Sequence, residues 1–144
     1  MHIAGKCHCG NIAFRLEWPG DAAEIAARAC DCSFCTKHGG IWTSNPQAKL
    51  IVTIVDPQLV SRYAFGTQTA NFHVCARCGA VPLVTSEIDG GVYAVVNVNT
   101  FEKLDPARLR KAAVTFEGED PASRLARRKR NWIADVRFAS AEPE

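Results

Sequence analysis

Seven cysteines in three tight groups constrain this 144-residue chain more than any other feature. They fall as Cys7-His8-Cys9, Cys30-Asp31-Cys32-Ser33-Phe34-Cys35 and Cys75-Ala76-Arg77-Cys78-Gly79. An odd count cannot complete a disulfide framework, and the stretch from Met1 to Cys7 lacks the apolar region of a secretory leader. Clustered cysteines in a reducing compartment are more often metal ligands or nucleophiles than crosslinks. The expectation is therefore a cytoplasmic metal-binding protein.

The spacings say how metals would be shared. Cys-x-x-Cys followed by glycine is a zinc-knuckle spacing: a tight turn aims both sulfurs at one ion, and glycine supplies the left-handed residue that closes it. Cys-x-Cys demands more. Residues i and i+2 of a regular strand lie about 6.5–7 Å apart, so the backbone must bend there, and Gly5 and Gly10 flank the pair. Four thiolates close a tetrahedral site. Cys30, Cys32 and Cys35 lie within six residues and most easily share one ion. That leaves Cys7, Cys9, Cys75 and Cys78 as a closed, structural Cys₄ set. The triplet would leave a fourth position for water or substrate, as catalytic zinc does. Two alternatives stay open for it: a second structural site completed by His38, His8 or His73, or a redox pair at Cys32 and Cys35.

Hydrophobic residues make up 47% and charged residues 22% of the chain, as in an ordinary globular domain, so disorder is excluded. No apolar run approaches the roughly 20 residues of a membrane span. The net charge of +2 turns slightly negative if seven thiolates hold two zinc ions, and it does not support a whole-chain nucleic-acid binder. Ile12, Phe14 and Leu16 alternate along a strand pattern from Asn11 to Glu17. Further strands are expected at Ala26–Cys30, Ile41–Thr43, Leu50–Val55, Val60–Ala64 and Asn71–Cys75. Asp89-Gly90-Gly91 marks a hairpin between Val81–Ile88 and Val92–Val98. Asp105-Pro106 and Asp120-Pro121 could each open a helix, the second with Leu125, Trp132, Ile133 and Val136 on its apolar face. Residues 1–138 read as one mainly antiparallel β domain with short peripheral helices, and residues 139–144 as a flexible tail.

Gly5-Lys6-Cys7-His8-Cys9-Gly10-Asn11-Ile12-Ala13-Phe14, Cys30-Asp31-Cys32-Ser33-Phe34-Cys35-Thr36-Lys37 and Cys75-Ala76-Arg77-Cys78-Gly79 resemble the glutathione-dependent formaldehyde-activating enzyme (GFA) and centromere protein V family. Asn97-Val98-Asn99-Thr100 and Leu104-Asp105-Pro106-Ala107-Arg108 extend the likeness. The resemblance implies a small zinc-stabilised fold of several antiparallel sheets. It puts a structural zinc on Cys7, Cys9, Cys75 and Cys78 and a catalytic zinc on Cys30, Cys32 and Cys35. It also implies a carbon–sulfur lyase that joins glutathione to formaldehyde, so a small thiol and an aldehyde, or their adduct, are the expected partners. Lys37 and His38 directly follow the triplet and are candidates for balancing thiolate charge or orienting substrate. Trp42 could wall a pocket. The basic cluster Arg124, Arg127, Arg128, Lys129, Arg130 and Arg137 reads as a solvated helix face or as one that meets phosphates or a substrate's carboxylates; a competing function is a two-zinc binding module that contacts nucleic acid through it.

Overall fold

In the computed structural model, which describes residues 1–140, the chain begins with β1 (His2–Lys6), β2 (Ile12–Glu17) and β3 (Ile25–Cys30). A six-residue helix α1 (Ser33–His38) precedes β4 (Trp42–Thr43), β5 (Lys49–Ile54), β6 (Val60–Tyr63) and β7 (Asn71–Cys75). Then follow β8 (Leu83–Ile88), β9 (Gly91–Asn97), β10 (Phe101–Glu102), β11 (Leu109–Val114), α2 (Pro121–Asn131) and β12 (Asp135–Ser140). Among the described residues, no helix is long and apolar enough to cross a membrane.

The strands form two sheets, ordered β10-β1-β2-β5-β12 and β11-β3-β4-β9-β8-β7-β6. Alternation decides which side chains go inside. Ile3, Ile12, Phe14, Leu16, Leu50 and Val52 of the first sheet pack with Ile25, Leu83, Ala94 and Val96 of the second in one core. Full burial of each such large side chain is worth about 1.5–3 kcal/mol. The larger sheet is covered on both faces. Leu83 and Val96 face the first sheet, whereas their neighbours Val84 and Val95 join Cys35, Trp42, Phe72 and Trp132 in a second cluster on the other side.

The Asp89-Gly90 turn is as expected: both residues have positive φ (51° and 81°), the geometry that matches the twist of paired strands. Two pairings run parallel, β11 on β3 and β12 on β5, within an otherwise antiparallel arrangement. The Asp105-Pro106 helix is a single 3₁₀ turn, Pro106–Arg108, because pairing with β3 takes over at Leu109. In α2, Asp120 caps the N-terminus by accepting from the Ser123 N–H at 2.8 Å. The helix ends at Asn131, so Trp132, Ile133 and Val136 do not share a helical face with Leu125. Ile133 instead exchanges two backbone hydrogen bonds with Ala94, at 2.9 and 3.0 Å, and enters the main core fully buried. Val136 pairs with Leu50 in β12. Ala139 and Ser140, expected in the tail, are the end of that strand, held by register with Thr53 and Ile54. The rest of the expected tail, residues 141–144, lies outside the described residues.

Gly5 sits within β1 opposite Phe14, not in the bend after it. A Cβ there would lie 2.1 Å from the buried Phe14 ring. Gly5→Ala should therefore lower stability by about 1–3 kcal/mol, the usual cost of overpacking a tight core. Denaturant midpoints would show it, and an unchanged midpoint would mean that Phe14 has room to move.

Candidate metal centres

Both cysteine groups are gathered by tight turns at strand ends. Cys7 follows β1; its N–H donates to the Ile12 carbonyl at 2.8 Å, and the Ile12 N–H donates to its Sγ at 3.3 Å. The backbone bends at His8 and Cys9 and is closed by Gly10 at φ +85°. Cys75 ends β7, where Gly79 at φ +82° donates to the Cys75 carbonyl and the Cys78 N–H donates to the Cys75 Sγ at 3.4 Å. These are two knuckles, one from each sheet.

Their sulfurs meet. The Sγ atoms of Cys7, Cys9, Cys75 and Cys78 all lie within 4.8 Å of one another. Cys7 and Cys9 are separated by 3.8 Å and Cys9 and Cys75 by 3.5 Å. Four thiolates about 2.3 Å from a tetrahedral centre would be spaced about 3.8 Å apart, so the set fits zinc. Cys7 and Cys75 are fully buried and belong to the core between the sheets. Burial pushes the Cys7 thiol up to about 11. Burial also acts upward on Cys78, but donation from the Ala80 and Cys9 N–H groups and from the Cys75 and Cys7 thiols holds it down at about 6.

The second group, Cys30, Cys32 and Cys35, also has its sulfurs within 4.8 Å of one another. Cys30 ends β3; Cys32 is the N-cap of α1, its Sγ accepting from the Cys35 N–H at 3.4 Å. Trp42 Nε1 donates to the Cys35 Sγ at 3.4 Å. A hydrogen bond from Cys35 draws the Cys30 thiol down to about 6, and the same bond, with burial, drives Cys35 well above its ordinary value. All seven cysteines are free. Among the described residues, no histidine joins either group within the same distance. His8 is exposed, and His73 Nε2 lies 2.8 Å from Thr85 Oγ1.

The triplet opens onto a cavity of about 440 Å³, in the size range of small-molecule sites. Trp42, Phe65, Phe72, Phe116 and Trp132 give it apolar walls. Lys37 and His38 are not in its lining. Lys37 is exposed, and His38 stacks 4.5 Å from Phe34 and 5.9 Å from Trp42, where burial lowers its pKa.

Positive charge reaches the cavity from elsewhere: Arg28 of β3 and Arg124, Arg127 and Arg128 of α2, alongside Asp31 and Glu117. Glu119 accepts from Arg127 at 2.9 and 3.1 Å and from Arg124 at 3.3 Å. Arg127 also lies 3.6 Å over the Phe116 ring. Lys129 pairs with Asp89 and Arg137 with Asp135. The basic segment is thus largely engaged with its own protein, and Arg130 alone of its six cations has no such partner among the described residues.

A two-sheet β protein with one closed and one three-membered cysteine cluster is a thiolate metal-site scaffold, compatible with zinc. The family model for "Glutathione-dependent formaldehyde-activating enzyme" matches residues 2–118, and the chain belongs to that family. It is also similar to a crystal structure of a Rhodobacter sphaeroides protein from structural genomics, at 30% identity and a TM-score of 0.52 over 72% of this chain and 91% of that one. The family match supports an enzyme acting with glutathione and formaldehyde as small-molecule partners. The match stops before α2, so Arg124, Arg127 and Arg128 lie beyond it. In the sequence these arginines read as a cluster for phosphates or a substrate's carboxylates, and the packing of α2 across the sheet is what brings them to the cysteines.

Arg127, by hydrogen bonding, and Arg124 hold the Glu119 carboxyl below its ordinary value. A lowered carboxylate contributes stability above the usual carboxylate pKa and loses it as pH falls through the folded value. Glu119→Gln should cost roughly 1 kcal/mol at pH 7. In paired denaturant melts the difference from the wild-type chain should shrink as pH falls below the ordinary carboxylate range, as the wild-type carboxyl is progressively neutralised.

Proposed function

We propose that the chain is a zinc-dependent carbon–sulfur lyase that makes and breaks the adduct of a glutathione-like thiol with formaldehyde or a similar small aldehyde. The observation that carries this reading is the three-cysteine group, joined by no fourth His, Cys, Asp or Glu donor among the described residues and set in the wall of a cavity. The family match supports the thiol and the aldehyde.

Cys7, Cys9, Cys75 and Cys78 would hold a structural ion, and Cys30, Cys32 and Cys35 the reactive one. When bound to the triplet, zinc supplies a Lewis acid with one position left for a substrate thiol, whose acidity it raises. The protein's own groups do the rest. The Trp42 indole N–H, hydrogen-bonded to Cys35, fixes that thiolate's direction and withdraws some of its charge. The aromatic walls exclude water, which favours addition of sulfur over hydration of the aldehyde. In the forward direction a C–S bond forms, the carbonyl π bond breaks, and the proton lost from the thiol ends on the new hydroxyl. The reverse step returns thiol and aldehyde. Seven free thiols suit the reducing cytoplasm.

Elemental analysis should find two zinc ions per chain, with a mild chelator removing one first and leaving the fold intact. That partial loss should abolish enzyme-catalysed exchange between glutathione, formaldehyde and their adduct, followed by NMR. Cys75→Ser should lower the melting temperature far more than Cys32→Ser, because a closed site contributes folding free energy. Cys32→Ser should mainly remove the exchange. At most one zinc with all seven thiols freely titratable would end this reading.

A further inference from the structure

Arg128 is a buried cation without an anion. It is 7% exposed, and both of its hydrogen bonds leave Nη1 for neutral hydroxyls, Thr69 at 2.8 Å and Ser86 at 3.2 Å. Its Nε–H has no acceptor, and no carboxylate lies within ion-pair distance among the described residues. Arg28 is similar: half-buried, bonded through Nη2 to Ser44 Oγ at 2.8 Å, and without a carboxylate partner. Burial lowers the pKa of Arg128, Arg127 and Arg124 add to the effect, and the Glu119 charge opposes it. Glu119, the one carboxylate paired in this region, is engaged by Arg124 and Arg127. A buried charge left uncompensated is costly, so two such arginines in one cavity wall are an anion site in waiting. Both line the cavity that holds Cys30, Cys32 and Cys35.

We propose that the cavity takes a thiol that also carries a carboxylate, with the acid group held by Arg128 and Arg28 and the sulfur directed to the cysteine triplet. This rests on the thiol reading above, and it adds which end of the substrate the protein itself recognises. Guanidinium suits carboxylate because its planar donors match the two oxygens, and such charge-assisted hydrogen bonds are about twice as strong as neutral ones. Arg128 lies on α2, beyond the residues 2–118 that the family model matches, and Arg28 lies within them. Trp132, 5.0 Å from the Arg128 guanidinium, holds that side chain against the cavity wall.

The test is calorimetric titration of the zinc-loaded protein with thioglycolate, 3-mercaptopropionate and 6-mercaptohexanoate, each against its uncharged amide. At least one acid should bind about tenfold more tightly than its amide. Arg128→Gln, and separately Arg28→Gln, should bring that ratio close to one while leaving zinc content and the amide's affinity unchanged. The comparison in the wild-type protein stands even if the Arg128 variant does not fold. Equal binding of acid and amide at every length would overturn the proposal. S-methylated acids separate it from the thiol reading. If methylation leaves affinity unchanged while acids still outbind amides, the carboxylate site stands and the thiol reading fails.

Discussion

Cys7 and Cys9 end the first hairpin strand of one sheet, Cys75 and Cys78 end a strand of the other, and the four sulfurs converge at the edge of the core between them. A domain of this size has only a thin apolar core, and two sheets that meet along one face can slide. An ion held by these four sulfurs would fix their relative position at one end. Ile133, bonded to Ala94 and followed by β12 on the first sheet, ties them at another place. Once the sheets are fixed, the larger one has a second face to use.

That second face holds the three-cysteine group and its cavity. Leu83 and Val96 are spent on the core, and Val84, Val95, Trp42 and Phe72 are left to floor the cavity. The short α1 turns Cys32 and Cys35 back toward Cys30, with the Cys32 sulfur acting as the helix cap. α2 closes over the same floor and brings its arginines. The closed cluster is made by strand ends of two sheets, whereas the open one is made by six consecutive residues. On the proposed function, this difference is why the first would serve folding and the second binding.

The cysteine partition was legible because metal ligands are constrained locally: each knuckle is read from three or four residues and a glycine. Strands with clean alternation, such as Ile12–Glu17, and the Asp89-Gly90 hairpin were legible for the same reason. What escaped was non-local or short. β11 is an exposed edge strand with no alternation, and β12 is defined by parallel pairing with β5, about eighty residues away in sequence. β10 has two residues. In α2 the apolar spacing of Leu125, Trp132, Ile133 and Val136 imitates a helical face, although the backbone extends at Trp132 so that Ile133 can pair with Ala94. The basic residues of α2 read from the sequence as a solvated face or one that meets phosphates or a substrate's carboxylates. Their engagement with Glu119, Thr69 and Ser86 depends on a contact that no local pattern encodes.

The central claim is that the three-cysteine centre keeps a place for a substrate sulfur. Cobalt(II) in place of zinc reports it directly, since cobalt absorption depends on the number of sulfur donors. Titration with glutathione should strengthen the sulfur-to-cobalt charge-transfer band, release a proton, and leave the His38→Ala spectrum identical to that of the unsubstituted protein. A spectrum that no thiol alters, but that His38→Ala shifts, would show a centre closed by histidine and contradict the account.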